Sequence, residues 1–407
     1  MSRSKDRLGR CVGFGLLAIV VLSPTQWGLE TANRTHVSIA DPLIWGVFGL
    51  WLLTVADRSA PRRLCVPPVM VVLFILMAAL STIRAIHPLK GAKDVFQFVE
   101  YLVAAFMLFA NAPDWKQVQK LVDAFMIVAT LVVLLGLVQY LSPGIADFKV
   151  RATFGNRNVF GGYLCLAGPL MAGVALYETV RWRKAWLWAT VALALLVTLS
   201  GAALLALALT LALLFLFRGK GYFVAGAAAL IVLFVLILPH LPRHNDVVLD
   251  ESVRLYDDKN QVALRYTEWQ AATVLIQEHP LLGVGIGNYQ DHIGGYFGVL
   301  PRPTGTVEPD SENLYLVIAS SMGLPGLACF LGILLTFGTL AARQFFTTTD
   351  PRTKGLALGL LGALCCFSIC CIWNPLMVRG IGVQFALILA FTQRSSAGLS
   401  RDCSPPR

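Results

Sequence analysis

Charge is scarce in this 407-residue chain: Asp, Glu, Lys and Arg make up 14% of it, against about 25% in a soluble domain. That shortfall excludes a water-soluble globular protein of one or two domains. It also excludes a disordered chain, which needs high charge and low hydrophobicity. Histidine is sparse too, with six scattered residues. His292 is the one candidate base among them, with no triad around it, and His279 before Pro280 reads as structural. No HExxH and no DxD-like cluster occurs, so neither a metal nor a cofactor is expected. The nine cysteines form no CxxC pair. Four of them, Cys365, Cys366, Cys370 and Cys371, lie inside one apolar run and read as small apolar packing residues. The N-terminus carries Arg3, Lys5, Arg7 and Arg10 and then the apolar stretch Val12 to Leu22. No A-x-A-like cleavage site follows, so an uncleaved first span is expected rather than a signal peptide.

What the chain has in abundance is apolar sequence, 57% of residues, in long runs such as Ala185 to Phe217 and Tyr222 to Leu238. Runs of about 18 or more apolar residues read as membrane-spanning helices. The expectation is an all-α, polytopic integral membrane protein with about twelve spans. They fall near 8–24, 37–56, 66–83, 95–112, 121–141, 158–178, 185–200, 201–217, 222–240, 313–341, 355–373 and 375–393. A tight turn at Ser200-Gly201 must separate the seventh and eighth. Residues 1–240 thus hold nine spans and 241–312 form the single long hydrophilic loop. Residues 313–393 hold three more spans, and 394–407 are a tail. With the N-terminus inside, inside segments carry 20 Lys and Arg, short outside loops carry 8, and the long loop holds the remaining 5 of 33. The positive-inside rule then puts both termini in the cytoplasm. The net charge of +10 is accounted for in this way and calls for no nucleic acid. No duplicated repeat of the kind found in carriers is visible.

The polar, motif-like stretches all fall on the outside of this map. Arg151-Ala-Thr-Phe-Gly-Asn-Arg-Asn158 opens the sixth span. Arg151, Asn156, Arg157 and Asn158 offer forked donors and amides at a helix N-terminus, where free N–H groups and the dipole favour anions. An interfacial loop with an Asn cap and lipid-facing arginines satisfies the same spacing. In the long loop, Val262, Tyr266, Trp269, Thr273 and Ile276 recur at helical spacing, with Arg265 and Glu268 on the other side. That pattern predicts an amphipathic helix at the outer interface. Pro280-Leu-Leu-Gly-Val-Gly-Ile-Gly-Asn-Tyr289 follows, either a phosphate-cradling loop or a sharp re-entry turn. Asp310-Ser-Glu-Asn-Leu-Tyr315 opens the tenth span. Glu312 there is a candidate general base and equally a helix-start carboxylate, with Asn313 and Tyr315 beside it. Asn374-Pro375 and Arg379 lie between and within the last two spans, and a charged residue in a span faces a polar cavity unless it is shallow enough to snorkel.

Taken together, Thr153-Phe-Gly-Asn-Arg-Asn-Val-Phe-Gly-Gly-Tyr163, Arg265-Tyr-Thr-Glu-Trp269, Glu278-His-Pro-Leu-Leu-Gly-Val-Gly-Ile-Gly-Asn-Tyr289, Glu312-Asn-Leu-Tyr-Leu316 and Gly323-Leu-Pro-Gly-Leu327 resemble the O-antigen ligase and polymerase superfamily over roughly residues 150–345. The resemblance implies a GT-C-like membrane glycosyltransferase of the bacterial inner membrane. Such an enzyme takes a glycan from undecaprenyl diphosphate and passes it to an acceptor sugar hydroxyl at the periplasmic face, by inversion and without metal. It also implies lipid-linked donor and acceptor, membrane lipids and glycan-assembly proteins as partners. The roles it implies are Glu312 as base and Arg265 on the leaving diphosphate, with Arg151, Asn156, Arg157, Asn158, Asn313, Tyr315 and Arg379 around the substrates. Two departures stand out. Glu312 occupies the place of the ligases' histidine, and Thr198-Leu-Ser-Gly-Ala-Ala203 lacks the arginine usual after a Ser-rich turn. They shift the expectation toward a polymerase or a ligase of another surface glycan. A carrier of a small anion such as bicarbonate and an inactive scaffold in glycan assembly are the competing readings.

Overall fold

The computed structural model describes residues 2–25, 28–30, 36–56, 67–110, 115–142, 150–237, 261–293, 312–378 and 380–402. The side chains of 2–7, 28–30, 36–37, 56, 233–234, 236–237, 261–267 and 396–402 are not described. Helices dominate: α1 Ser2–Leu22, α2 Ala40–Ala56, α3 Val69–Ser81, α4 Pro88–Leu102, α5 Trp115–Leu141, α6 Arg157–Tyr177, α7 Arg181–Val197, α8 Gly201–Arg218, α9 Lys220–Ile237, α10 Gln261–Glu278, α11 Tyr289–Ile293, α12 Leu314–Thr347, α13 Pro351–Cys370 and α14 Ile381–Asp402. A two-stranded ribbon, β1 Gly28–Glu30 against β2 His36–Ser38, joins α1 to α2. Five helices, α5, α6, α8, α12 and α13, are long and apolar enough to cross a bilayer by length and composition. The protein is an all-α, multi-pass membrane protein. Each of the other expected spans also has a helix on it, and α7 and α8 part at Ser200-Gly201 where the apolar run is too long for one bilayer.

The centre of the molecule is α6. Its residues from Val159 to Leu176 are all buried, which only a helix surrounded by other helices can achieve. Its closest neighbour is α13, and glycines permit the approach. A Cβ on Gly173 would strike the backbone of Gly359, and one on Gly359 would strike the backbone of Leu170. Small residues at such seams let backbones meet where no hydrophobic effect drives helices together. Cys366 and Cys370 on α13, and Cys371 just after it, are buried free thiols.

Two helices depart from regularity. After Leu102, α4 widens into a π-turn over Val103–Phe109, beginning three residues after Glu100, whose carboxyl-bearing side chain is only 2% exposed. The spans are largely apolar at mid-depth in sequence, and Glu100 is an exception to that. The second is α12, broken at Gly323, whose φ of 73° and ψ of 177° lie outside helical space. One side of the bundle is tied by ions: Asp123 on α5 takes Arg183 of α7 on one oxygen and Arg352 of α13 on the other, the latter at 3.1 Å. Arg183 reaches Glu178 at 3.1 Å. The other end carries the polar stretches singled out above.

Candidate functional site

The cationic loop is built residue by residue. Asn156 caps α6, its Oδ1 accepting the Val159 N–H at 2.9 Å. Ahead of it the chain turns through Ala152 at φ 48°. The Phe154 N–H closes that turn on the Arg151 carbonyl at 2.9 Å, and Arg151 Nη1 donates to the Gly155 carbonyl at 3.3 Å. Thr153 Oγ1 donates to the Pro24 carbonyl at the end of α1. The Phe154 ring packs on Tyr163 at 5.2 Å between centroids. Gln139, near the end of α5, accepts the N–H groups of Arg151 and Ala152 at 3.0 and 2.8 Å and donates to the Ala152 carbonyl at 3.1 Å. The loop is fixed from three helices. Arg151 is exposed at its rim, and Arg157 and Asn158 are part-buried at the head of α6.

The second segment is the start of α12. Asn313 caps it by accepting from the Tyr315 and Leu316 N–H groups at 3.0 and 3.2 Å. The Leu314 N–H bonds to the Cys371 carbonyl at 3.0 Å, and Tyr315 Oη donates to the Ser368 carbonyl at 2.7 Å. The helix start is therefore seated on the end of α13. Glu312 precedes the cap at φ 47°, part-buried. Its carboxylate acts electrostatically on the Arg157 guanidinium. Two stretches 155 residues apart in sequence thus meet at one mouth. Among the described residues, Ala152 and Glu312 are the two non-glycine positions with positive φ, and both lie there. Such backbone outliers gather at functional sites because only a tightly determined surround can hold them.

Several of the expected residues have structural duties at this mouth. Asn156 and Asn313 use their amide oxygens as acceptors in helix caps, and Tyr315 donates its hydroxyl proton to the Ser368 carbonyl. Asn374, buried, donates to the Cys370 carbonyl at 3.4 Å. Arg379 lies outside the described residues. Arg265 lies on α10 as expected, but its side chain is outside them too.

The glycine stretch has a structural occupation. Gly283, at φ 64°, turns the chain back so that the Val284 and Gly285 N–H groups bond to the Ser320 and Ser321 carbonyls at 2.9 and 3.0 Å. The Leu324 N–H reaches the Pro280 carbonyl at 2.8 Å. These are the backbone groups that the break at Gly323 frees. The Ile286 N–H goes to Ser81 Oγ at 3.1 Å. Asn288, fully buried, accepts from the His87 N–H at 2.7 Å and donates to the His87 and Ile286 carbonyls at 3.3 and 2.9 Å. Lys90 pairs with Asp291 at 2.9 Å. The phosphate-cradling alternative is overturned, because these N–H groups are already bonded. Residues 279–293 are a clasp joining α12 to the α3–α4 hairpin.

The helix before the clasp forms where the spacing places it, but it turns a different face to the protein. Glu268, Ala271, Ala272 and Leu275 are buried, while Thr273 is exposed and Trp269 and Ile276 are only part-buried. The two alanines let α10 lie close on α12, where Ser320 Oγ contacts the Ala272 carbonyl at 3.5 Å. His292 belongs to the clasp. Burial and the neighbouring His279 push its imidazole below the ordinary value, and Asp291 opposes them. His279 Nδ1 lies 3.4 Å from Arg84 Nη2, in line with a structural role. Gln139, Ser81 and Asn288 carried no local signal of these duties.

Residues 185–331 match a protein-family model described as O-antigen ligase. The match runs from α7 through the clasp and past the break in α12, and it includes Glu312. No curated protein matches the chain.

Proposed function

We propose, from the match of residues 185–331 to the O-antigen ligase family model, that the chain transfers a glycan from undecaprenyl diphosphate to an acceptor sugar hydroxyl at the periplasmic face of the bacterial inner membrane. Twelve spans with both termini in the cytoplasm are part of this proposal. The ion network around Asp123 then faces the cytoplasm, and the clasp and the Arg157–Glu312 mouth face the periplasm. The observation that supports the reading is that mouth, where the Glu312 carboxylate acts electrostatically on the Arg157 guanidinium and where Glu312 and Ala152 stand at positive φ.

The chemistry follows from the two charges. In the resting protein Arg157 and Glu312 partly neutralise one another. An incoming diphosphate competes for Arg157, and Arg151 at the rim and Arg265 on α10 add forked donors suited to phosphate oxygens. Glu312 is thereby freed to accept a proton. The acceptor hydroxyl oxygen attacks the anomeric carbon, and the bond from that carbon to the phosphate oxygen breaks. The diphosphate leaves on its lipid with the electron pair, and the hydroxyl proton passes to Glu312. Attack opposite to the leaving group inverts the anomeric centre. Preorganised cations aimed at the developing charge supply most of the transition-state stabilisation, with no metal in the scheme. Asn156, Asn313 and Tyr315 hold the geometry, and Asn158 and Arg379 complete the substrate surround.

The carrier reading has two observations on its side, buried Glu100 in α4 and the break in α12. The break, however, is filled by the clasp backbone rather than open to a cavity. The deciding experiment is the surface-glycan profile of a deletion strain. A polymerase leaves single-unit glycans attached and loses long chains. A ligase loses all attached glycan and accumulates the polyprenyl-linked form. An unchanged profile refutes the proposal in favour of the carrier.

A further inference from the structure

We infer that Gln139 is a positioning residue for the cationic loop, acting on transfer only through the backbone of Arg151 and Ala152. This rests on the reading of that loop as the diphosphate-binding element. Gln139 sits two residues before the end of α5 and is part-buried. Its amide makes three hydrogen bonds, accepting from the Arg151 and Ala152 N–H groups and donating to the Ala152 carbonyl. Both polar backbone groups of Ala152 are thus satisfied by a single side chain from another helix.

The need for that grip is conformational. Ala152 stands at φ 48°, a left-handed position that a non-glycine residue occupies at a cost and holds only when its surroundings insist. Alanine brings no side-chain hydrogen bond of its own to stabilise the turn. A primary amide is the group that fits, because it offers donor and acceptor from one planar fork. A carboxylate lacks the donor, and an ammonium lacks the acceptor. The far side of the loop is pinned independently by Thr153 to Pro24, by the Phe154 ring on Tyr163 and by the Asn156 cap. On the α5 side the grip is that of Gln139. Releasing it leaves residues 153–157 in place and Arg151 held by the Phe154 N–H on its carbonyl and by its own Nη1 on the Gly155 carbonyl, an exposed tether that lets the rim of the anion site shift.

The test uses the full purified chain as wild type, Gln139→Leu and Gln139→Glu. Three quantities are read: the rate of trypsin cleavage after Arg151, the thermal midpoint, and transfer kinetics with a polyprenyl-diphosphate glycan. Gln139→Leu is expected to speed cleavage after Arg151 by about tenfold or more and to raise the donor KM by a similar factor, with kcat changing less, since it strips three hydrogen bonds from the turn. The thermal midpoint and the remainder of the cleavage map stay close to wild type. Gln139→Glu keeps both acceptor contacts but turns a second oxygen toward the Ala152 carbonyl. Its cleavage rate and KM, taken as ratios to wild type at each pH, therefore fall back toward one as acidification supplies the missing proton. Unchanged cleavage after Arg151 in Gln139→Leu overturns the inference. So does lost transfer with unchanged cleavage, which marks a direct substrate contact, and so does cleavage rising along the whole chain, which marks a general structural role. If the wild type itself transfers no glycan, the functional reading fails alone, and the cleavage series still decides what Gln139 holds.

Discussion

Replacing Asn288 with alanine should unfasten the clasp from the α3–α4 hairpin while leaving it on α12. Asn288 is fully buried and holds the His87 N–H at 2.7 Å, the Ile286 carbonyl at 2.9 Å and, more weakly, the His87 carbonyl at 3.3 Å. A buried group left without its partner costs about 1–3 kcal/mol, so the two short bonds alone place the loss at about 2–6 kcal/mol. What remains on the hairpin is slight. The exposed Lys90–Asp291 pair contributes about 0–1 kcal/mol, the single bond from the Ile286 N–H to Ser81 contributes about 1 kcal/mol, and the exposed Arg84–His279 contact at 3.4 Å is long and weak. On α12 the bonds from Val284, Gly285 and Leu324 persist. Amide hydrogen exchange reads the opening directly. At about 2 kcal/mol, the lower bound, the amides of His87 and Ile286 should lose protection by roughly 30-fold, whereas those of Val284 and Gly285 change far less. Asn288→Asp keeps the acceptor for the His87 N–H and loses both donors, so it should fall between. Unchanged protection at His87 and Ile286 in the alanine variant would refute the account of the clasp.

Three further outcomes are expected. Gly173→Leu drives a side chain into the backbone of α13 at Gly359, where no rotamer relieves it. It should destabilise by at least about 1–3 kcal/mol, seen as a lowered thermal midpoint in detergent, and an unchanged midpoint would contradict the seam. Asp350 caps α13, and hydrogen bonding from Thr353 holds its carboxyl below the ordinary value. The ionised cap therefore stabilises at neutral pH and is lost as pH falls through the native-state value. Asp350→Ala should cost about 0.5–2 kcal/mol at pH 7 and converge on wild type in acid, which a stability–pH series checks. Because Glu312 acts on the Arg157 guanidinium, Arg157→Gln and Glu312→Gln should be non-additive in a double-mutant cycle of thermal stability, and strict additivity would contradict that coupling.

Helices were legible here because apolar runs, capping residues and the glycine at the α7–α8 turn act locally. Asn156 and Gly201 mark helix starts that the structure reproduces. Faces were harder to read. Glu268 reads as outward-facing by helical spacing, yet it is buried with Ala271, Ala272 and Leu275, because the choice of face was made by α12, which α10's own periodicity does not encode. The glycine stretch shows the same limit. Its need for positive φ is plain in the composition, but the groups that occupy its N–H donors, Ser320, Ser321 and Ser81, come from elsewhere in the chain, the last 205 residues away. At the mouth, Arg151, Arg157 and Glu312 stood out as charges in an apolar sequence. Gln139 did not, since an amide near the end of a span carries no sign of the backbone it will hold.

The central claim is that Glu312 takes the acceptor proton while arginines hold the diphosphate. It is tested most directly by single-turnover transfer in proteoliposomes, comparing wild type with Glu312→Gln at saturating lipid-linked donor. The account predicts a fall in rate of about 10²–10⁴-fold with donor binding retained. Near-wild-type transfer by Glu312→Gln would contradict it.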